Sequence, residues 1–357
     1  MNKKILIIAP FFFPSIWWIE EQTKTLWESF IKKWYEVDVL TRNFDNLKQK
    51  EKMFWLNVFR FTGIFSFISF LIKNRKKYDL IISRQYYKNS FFLWLLKYLK
   101  LIKSKTIICA DSWWENDEIN KIKNKLYFLN LYKLYFFFIW QNDYLNWLNK
   151  YNIKHLKEIY KNKKKYLDKI INIYNWIDIT HYNKRKITSI KNILFLWRFE
   201  REKWIIETIK AFKKIKNNEL TLHIVWYWDD KIENEIKNLI KDDSRIILHW
   251  KLYWEEKERI ISITDLFVFP TYSEWQPVTL TEISLKDIPI ITTNIANNKE
   301  IYWDNLIYVK KENIDNLKEK IEWIINNIKY YKYNYSDALK KVDINNITEQ
   351  FLSLITK

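Results

Sequence analysis

The chain has 357 residues and a net charge of +19, from 61 Lys and Arg against 42 Asp and Glu. That length is too great for one ordinary core and predicts two α/β domains. The single cysteine, Cys109, excludes an internal disulfide and points to a reducing compartment.

The first residues place lysines ahead of an apolar run, a superficial likeness to a signal peptide. Pro10 and Pro14 interrupt the run and no small-residue cleavage site follows, so residues 3–9 read as a first buried strand. A loop over 10–18, an amphipathic helix over 20–33 and a strand over 36–41 complete one βαβ unit. Helix 65–77 leads into strand 80–83, and helix 90–101 into strand 105–110. Residues 61–72 are the most apolar stretch and fall short of the roughly 18 residues of a membrane span. The aromatic stretch 127–149 is expected to be a core helix, the lysine-rich piece 154–169 a solvated helix, and 170–174 a short strand.

Polar residues 181–191 read as the inter-domain linker, giving a first domain over 1–180 and a second over 181–340. Alternation then restarts with strand 193–196, helix 205–216, strand 220–225, helix 231–241, strand 245–248 and helix 255–263. An apolar run, Leu266-Phe267-Val268-Phe269, is ended by Pro270 and reads as a buried strand. A polar loop carrying Glu274 follows it. Pro277 stands where a helix can begin, with Glu282 in about its first turn. Strand 290–293 and helices near 314–327 and 347–355 finish the chain. The last segment, 341–357, is a helix able to pack back on the first domain.

Charge is uneven. Residues 1–180 hold 32 basic against 16 acidic residues, and residues 181–357 hold 29 against 26. Lysine supplies 52 of the basic residues, beside many Ile and Asn, as A/T-rich coding produces. Such drift acts on both halves alike, so the first domain is expected to meet an acidic partner such as an anionic membrane surface.

The composition holds one anomaly, a single glycine, Gly63, beside 20 tryptophans. Average usage of about 7% would give roughly 25 glycines. The tryptophans stand where glycine belongs: doubled after strands at Trp17-Trp18 and Trp113-Trp114, at Trp226 and Trp228, and at the helix-to-strand turn Lys33-Trp34-Tyr35. Turns of this kind favour φ > 0 or close backbone approach, which an indole-bearing residue resists. The sequence therefore reads as that of a lineage in which UGA encodes glycine, rendered as though UGA meant tryptophan.

Arg198 and Lys203 lie five apart between a strand and a helix, a spacing suited to a diphosphate. An ionised Glu282 can accept both hydroxyls of a ribose diol, and Glu274 can do the same for a sugar. With Trp17 and Trp18 as glycines, the first loop can offer backbone N–H groups to a phosphate. The histidines at 155, 181, 223 and 249 have no metal-ligand spacing, and no Asp-x-Asp element appears.

With tryptophan read as glycine, these elements together resemble a family 4 glycosyltransferase of the GT-B fold over nearly the whole length. The matching pieces are Ile16-Trp17-Trp18-Ile19-Glu20 with Lys33-Trp34-Tyr35-Glu36-Val37, Asn175-Trp176-Ile177-Asp178, Trp197-Arg198 through Lys203-Trp204, and Ser273-Glu274-Trp275 through Glu282. The last matches an E-x7-E element. The resemblance implies two doubly wound Rossmann-like domains facing a cleft and metal-independent, retaining transfer from a nucleoside-diphosphate sugar, with no further cofactor. It assigns Arg198 and Lys203 to the diphosphate, Glu282 to the ribose and Glu274 to the donor sugar. Trp17, Trp18, Trp197, Trp275, Gln276, Pro277 and Val278 would line the donor site. The resemblance is incomplete where relatives carry a histidine after the strand at 105–110. It is also incomplete at Asp287, which replaces a glycine, and at Ala296-Asn297, which replace a glycine pair.

The expected activity is hexosyl transfer to a lipid-linked or glycan acceptor of the cell envelope, in the cytoplasm and peripherally on the inner membrane face, with no nucleic acid partner. Two other readings remain. One is a non-catalytic basic protein binding a membrane or nucleic acid, which real indoles at 17, 18, 197 and 204 would favour. The other is an inverting GT-B enzyme.

Overall fold

Short apolar runs separated by helical segments build two mainly parallel sheets, each with strands buried along most of their length. The structure is a computed structural model and describes residues 3–13, 18–44, 46–53, 55–84, 88–110, 137, 140–148, 150–159, 164–180, 182, 184–198, 204–227, 230–249, 252, 254–272, 274 and 276–356. The chain divides into one unit of Met1–Asp178 with Val342–Lys357 and a second of Ile179–Lys341.

The first unit contains β1 (Lys4–Ala9), β2 (Glu36–Arg42), β3 (Lys50–Met53), β4 (Leu56–Phe61), β5 (Leu80–Arg84), β6 (Lys105–Ala110), β7 (Tyr144–Trp147) and β8 (Ile170–Ile171). Their order across the sheet is β3-β4-β2-β1-β5-β6-β7-β8. Only β3 is antiparallel to its neighbour. Ile5 and Ile7 of the central strand β1 pair with Val37 and Val39 on one side and with Leu80 and Ile82 on the other.

Three local expectations change. The end of the aromatic stretch 127–149 is strand β7 beside β6, and most of the remaining stretch lies outside the described residues. The four residues Tyr144-Leu145-Asn146-Trp147 are too few to carry a period that separates strand from helix, and here burial of Leu145 and Trp147 in the sheet decides it. The hairpin β3–β4 was not read from sequence because Lys50-Glu51-Lys52-Met53 is charged, as edge strands often are. The strand expected over 170–174 stops at Ile171. Beyond it the Asn146 side chain takes the place of a neighbouring strand, accepting from Ile173 N–H at 2.6 Å and donating to Ile173 C=O at 2.9 Å.

Helix Ile344–Thr356 belongs to this first unit. Its Thr348 hydroxyl donates to Ser29 Oγ at 2.8 Å, and Phe351 meets Phe30 and Trp176 edge-on.

In the second unit β9 (Asn192–Arg198), β10 (Thr221–Tyr227), β11 (Ile246–His249), β12 (Leu266–Phe269), β13 (Ile290–Thr293) and β14 (Ile307–Val309) are all parallel, in the order β11-β10-β9-β12-β13-β14. One carboxylate oxygen of Asp265 accepts the N–H groups of Lys191 and Asn192 at 3.0 and 2.9 Å, fixing where β9 starts against β12. The segment expected as a free linker instead contributes Ile187 and Ile190 to this unit's core. His223 and His249 meet across β10 and β11 with ring nitrogens 2.9 Å apart, and His223 also meets Asn192. Burial pushes both imidazoles below their ordinary pKa, so the pair is held neutral.

Seven described non-glycine residues have positive φ, and three are tryptophans: Trp34 at 67°, Trp204 at 50° and Trp303 at 53°. Trp34 follows helix Trp18–Lys32 in a Schellman arrangement, with Tyr35 N–H bonded to Phe30 C=O and Trp34 N–H to Ile31 C=O. Its indole is 85% exposed, so no packing offsets the left-handed backbone. Gly63, by contrast, has an extended φ of −165°, and an added Cβ would meet nothing within 4 Å.

Trp34→Gly is therefore expected to raise the unfolding free energy by about 1 kcal/mol. Gly63→Ala should change it by less than about 1 kcal/mol. Chemical denaturation of the two variants checks both values, and a loss of stability in Trp34→Gly would contradict the strain assigned to that corner.

Candidate functional site

Strand order in the second sheet reverses between β9 and β12. Loops leaving adjacent strands at such a switch point diverge and open a crevice outside the strands' carboxyl ends. Arg198 ends β9, and Glu274, Gln276 and Pro277 follow β12 ahead of the helix that carries Val278 and Glu282.

Arg198 is the last residue of β9, and its neighbour Trp197 pairs with Trp226 of β10. Their side chains are not among those described, and Lys203 lies outside the described residues. Helix Ile205–Lys213 starts after Trp204. Trp204 is fully buried, its Nε1–H has no hydrogen-bond acceptor, and its ring lies 5.3 Å from that of Tyr272. This contact brings the start of the helix after β9 against the loop after β12.

The exit from β12 is held by threonines. Thr292 donates to Phe269 C=O at 2.7 Å, Thr271 N–H donates to Thr293 Oγ1 at 3.1 Å, and the Thr293 hydroxyl donates back to Thr271 C=O. Glu274 is half-buried in the following loop, Gln276 is buried, and Trp275 lies outside the described residues. Pro277, with φ −68°, caps helix Val278–Leu285. Its fixed φ and missing N–H suit that place.

Glu282 lies beyond the first turn of this eight-residue helix, where the helix dipole has largely faded. Its countercharge comes from Lys257 of helix Trp254–Ile263, whose Nζ donates to Glu282 Oε2 at 2.7 Å. Sequence reasoning missed Lys257 because 25 residues separate the pair, and a lysine on an amphipathic helix carries no signal of its own.

The first unit has its own switch point, between β1 and β5. Trp17, after β1, lies outside the described residues, and Trp18 is the first residue of helix Trp18–Lys32. Arg84 ends β5 and is buried. It donates to Gln22 Oε1 at 3.1 Å, with its guanidinium 4.8 Å from the centre of the Trp176 ring. Trp176 in turn shares its Nε1–H between Gln22 C=O and Thr25 Oγ1, both at 3.0 Å. Its φ is not positive and its indole N–H is satisfied, so Trp176 suits its place as tryptophan in a way that Trp34 and Trp204 do not.

Asp287, which stands where the resemblance has glycine, also has a left-handed φ of 52°. Among the described residues no group of three or more His, Cys, Asp or Glu side chains could hold a metal ion, and no helix is long and apolar enough to cross a membrane.

Residues 180–340, nearly all of the second unit, match the family model described as glycosyl transferases group 1. No curated protein matches the chain in sequence. Among solved structures, the chain is similar to a glycosyltransferase from Rickettsia africae ESF-5, with 14% identity and TM-score 0.74 over 99% of this chain and 98% of that one. It is similar to a UDP-forming α,α-trehalose-phosphate synthase from Burkholderia xenovorans, with 9% identity and TM-score 0.75 over 100% and 99%. It is also similar to the catalytic domain of starch synthase IV from Arabidopsis thaliana bound to ADP and acarbose, with 11% identity and TM-score 0.71 over 100% and 99%. At these identities the likeness carries the fold, which is the GT-B fold of two parallel-sheet Rossmann-like domains.

Both side chains of the Lys257–Glu282 pair are about one-third exposed, at 31% and 32%. Lys257→Met is therefore expected to change folding stability by less than about 1 kcal/mol. Thermal and chemical denaturation check this, and a larger loss would make the pair a structural clamp rather than a countercharge for Glu282.

Proposed function

We propose that this chain, whose residues 180–340 match the glycosyl transferases group 1 family, is a metal-independent, retaining hexosyltransferase. It would use a nucleoside-diphosphate sugar and no further cofactor. The observation that carries the reading is that the exits from the adjacent strands β9 and β12 flank the sheet's switch point, with Trp204 after one against Tyr272 after the other. Cationic residues leave one strand and carboxylates leave the other. In this proposal Arg198 and Lys203 hold the diphosphate and neutralise the charge that develops on it as the sugar departs, the task a divalent cation performs elsewhere. Glu282 takes the ribose diol, which requires Lys257 to share or release it. Glu274 takes donor-sugar hydroxyls, and Gln276, Pro277 and Val278 set the position of its loop.

The tryptophans at glycine-demanding positions support UGA recoding. Trp34, Trp204 and Trp303 have the left-handed φ that favours glycine. We assign these three as glycine in the native protein, together with Trp17, Trp18, Trp197 and Trp275 of the proposed donor site. Trp176 is the exception by its geometry. Trp27 and Trp94, buried inside helices where glycine is unfavourable, are assigned as genuine tryptophan.

For the acceptor we propose a lipid-linked or glycan molecule of the cell envelope, met at the cytoplasmic face of an anionic membrane. Phe65 and Trp55 of the basic first unit are 88% and 79% exposed. A cavity of about 660 Å³ beside Trp55 is lined by Phe12, Phe13, Ile31 and Met53, with Lys24, Lys32 and one acid, Glu28, also lining it. Apolar lining beside lysines suits the apolar part and the anionic linkage of such an acceptor.

In protein carrying glycine at the assigned positions, Glu282→Ala and Arg198→Ala are expected to lower nucleotide-sugar turnover at least about a hundredfold. Full activity in either variant defeats the site assignment. Peptide mass spectrometry of natively expressed protein is expected to read glycine at 34, 204 and 303 and tryptophan at 176. Tryptophan at the first three would remove the recoding and favour a non-catalytic binding protein.

A further inference from the structure

A second cavity, of about 720 Å³, lies at the opposite edge of the second sheet from the β9 and β12 exits. Residue 182 and residues 184–188, which precede β9, line it together with Asp287, which precedes β13, and residues 328, 329 and 331–334, which follow helix Ile314–Asn327. Four lysines line this one space, Lys184 and Lys186 from the first segment and Lys329 and Lys332 from the last. None has a hydrogen-bond or ion-pair partner among the described residues. Lysines elsewhere on this unit do find acids, as in Lys213–Asp242, Lys214–Asp315 and Lys286–Glu258, each at 2.6 Å.

The cavity's other charges are already committed. Arg185 donates to Ser262 C=O and Thr264 C=O at 3.0 and 2.8 Å. Asp287 accepts the Arg185 N–H at 3.2 Å and the Tyr182 hydroxyl at 3.5 Å. Burial pushes the Asp287 carboxyl above the usual carboxylate range, which reduces its opposition to an incoming anion.

Aromatic side chains form the other part of the lining. The Tyr333 hydroxyl is tied to Asp287 C=O at 2.8 Å and the Tyr331 hydroxyl to Asn305 C=O at 3.4 Å. The two rings stack on each other at 5.5 Å. Tethered tyrosines present a rigid aromatic lining at low entropic cost, against which the C–H face of a sugar ring can rest. Several unpaired ammonium groups around one concavity focus positive potential, and lysine is a common point-charge partner of phosphate. The volume falls in the ordinary range for a small-molecule site.

We infer that this cavity is a binding site for a phosphorylated saccharide, separate from the proposed donor site, with lysines 184, 186, 329 and 332 taking the phosphate and tyrosines 182, 331 and 333 the sugar. The shared chemistry covers a free sugar phosphate and a phosphate-bearing glycan chain. The inference rests on the glycosyltransferase reading only for the presence of such saccharides, since binding here requires no turnover.

Isothermal titration of the full chain with a hexose 6-phosphate tests it, with inorganic phosphate and the neutral hexose as controls. The expected result is saturable binding at least about tenfold tighter than either control and weakened by added salt. The double variant Lys184→Gln/Lys332→Gln should lose at least about tenfold in affinity with an unchanged thermal melt. Glu274→Ala should bind as the unaltered chain does, which separates this site from the donor site even if turnover fails. A phosphate-bearing polysaccharide that competes identifies a polymer as the ligand, and failure to compete identifies the free sugar phosphate. Absence of saturable binding at millimolar concentration, equal binding of inorganic phosphate, undiminished binding in the lysine variant, or loss of binding in Glu274→Ala would each overturn the inference.

Discussion

The reversal of strand order between β9 and β12 is the constraint on which the second unit's chemistry depends. Parallel strands hydrogen-bond along both edges and leave little freedom in direction. The polypeptide can diverge from its neighbours only where successive connections run to opposite sides. Asp265 sets the register of the two strands at their start, through the N–H groups of Lys191 and Asn192. The hydroxyls of Thr292 and Thr293 on β13, bonded to the backbone of Phe269 and Thr271, set the direction of the chain where β12 ends. Both fixings use buried or half-buried side-chain oxygens bonded to backbone, so the exits carrying Arg198 and Glu274 start from strand ends that are tightly specified.

Much of this was legible in the sequence because strand, loop and helix left separate marks. Leu266 to Phe269, ended by Pro270 and followed by Pro277 at a helix start, gave the β12 unit nearly as it stands. Arg198 and Lys203, five apart, read as residue types suited to a diphosphate, and Glu274 and Glu282 as types suited to the hydroxyls of a sugar and a ribose. Other features had no such mark. Sequence places Glu282 near a helix start, whereas its ion-pair partner is Lys257, 25 residues away. Arg84 emerges as the buried cation at the first unit's switch point only through Gln22 and Trp176, residues far from it in sequence. The meeting of His223 and His249 depends on the β10–β11 register, which no spacing rule supplies. Short runs such as Tyr144–Trp147 failed for another reason: four residues contain too little periodicity to separate helix from strand.

The tryptophans show the same contrast at single residues. Composition says only that glycine is scarce and tryptophan abundant, and it treats all 20 tryptophans alike. Backbone geometry separates them. Trp34 ends a helix in the left-handed conformation with its ring in solvent, so nothing in its surroundings rewards an indole. Trp176 is packed against Arg84 and Phe351 and shares its N–H between two acceptors. A residue whose backbone asks for glycine and whose side chain does nothing is evidence about coding. A residue whose side chain completes a buried network is evidence about the fold. The lone glycine at 63 sits in extended backbone with open space around it, so conformational need did not place it there.

The second unit places two different kinds of charge balance at its two edges. At the carboxyl edge Glu282 has a lysine partner within hydrogen-bond distance, so a ligand entering there must compete with an existing ion pair or share it. That competition costs little in a pair about one-third exposed, which would suit the proposed donor site. At the amino edge the lysines lining the cavity form no ion pair among the described residues, and Asp287, whose field reaches Lys184, is the acid an incoming anion meets there. Mutual repulsion among those lysines is an unfolding tendency that the tethered tyrosines and the Arg185 hydrogen bonds oppose. An anion in the cavity would relieve that repulsion and bind in proportion to it. The two edges are thus suited to different duties, exchange of a ligand at one and retention of an anion at the other.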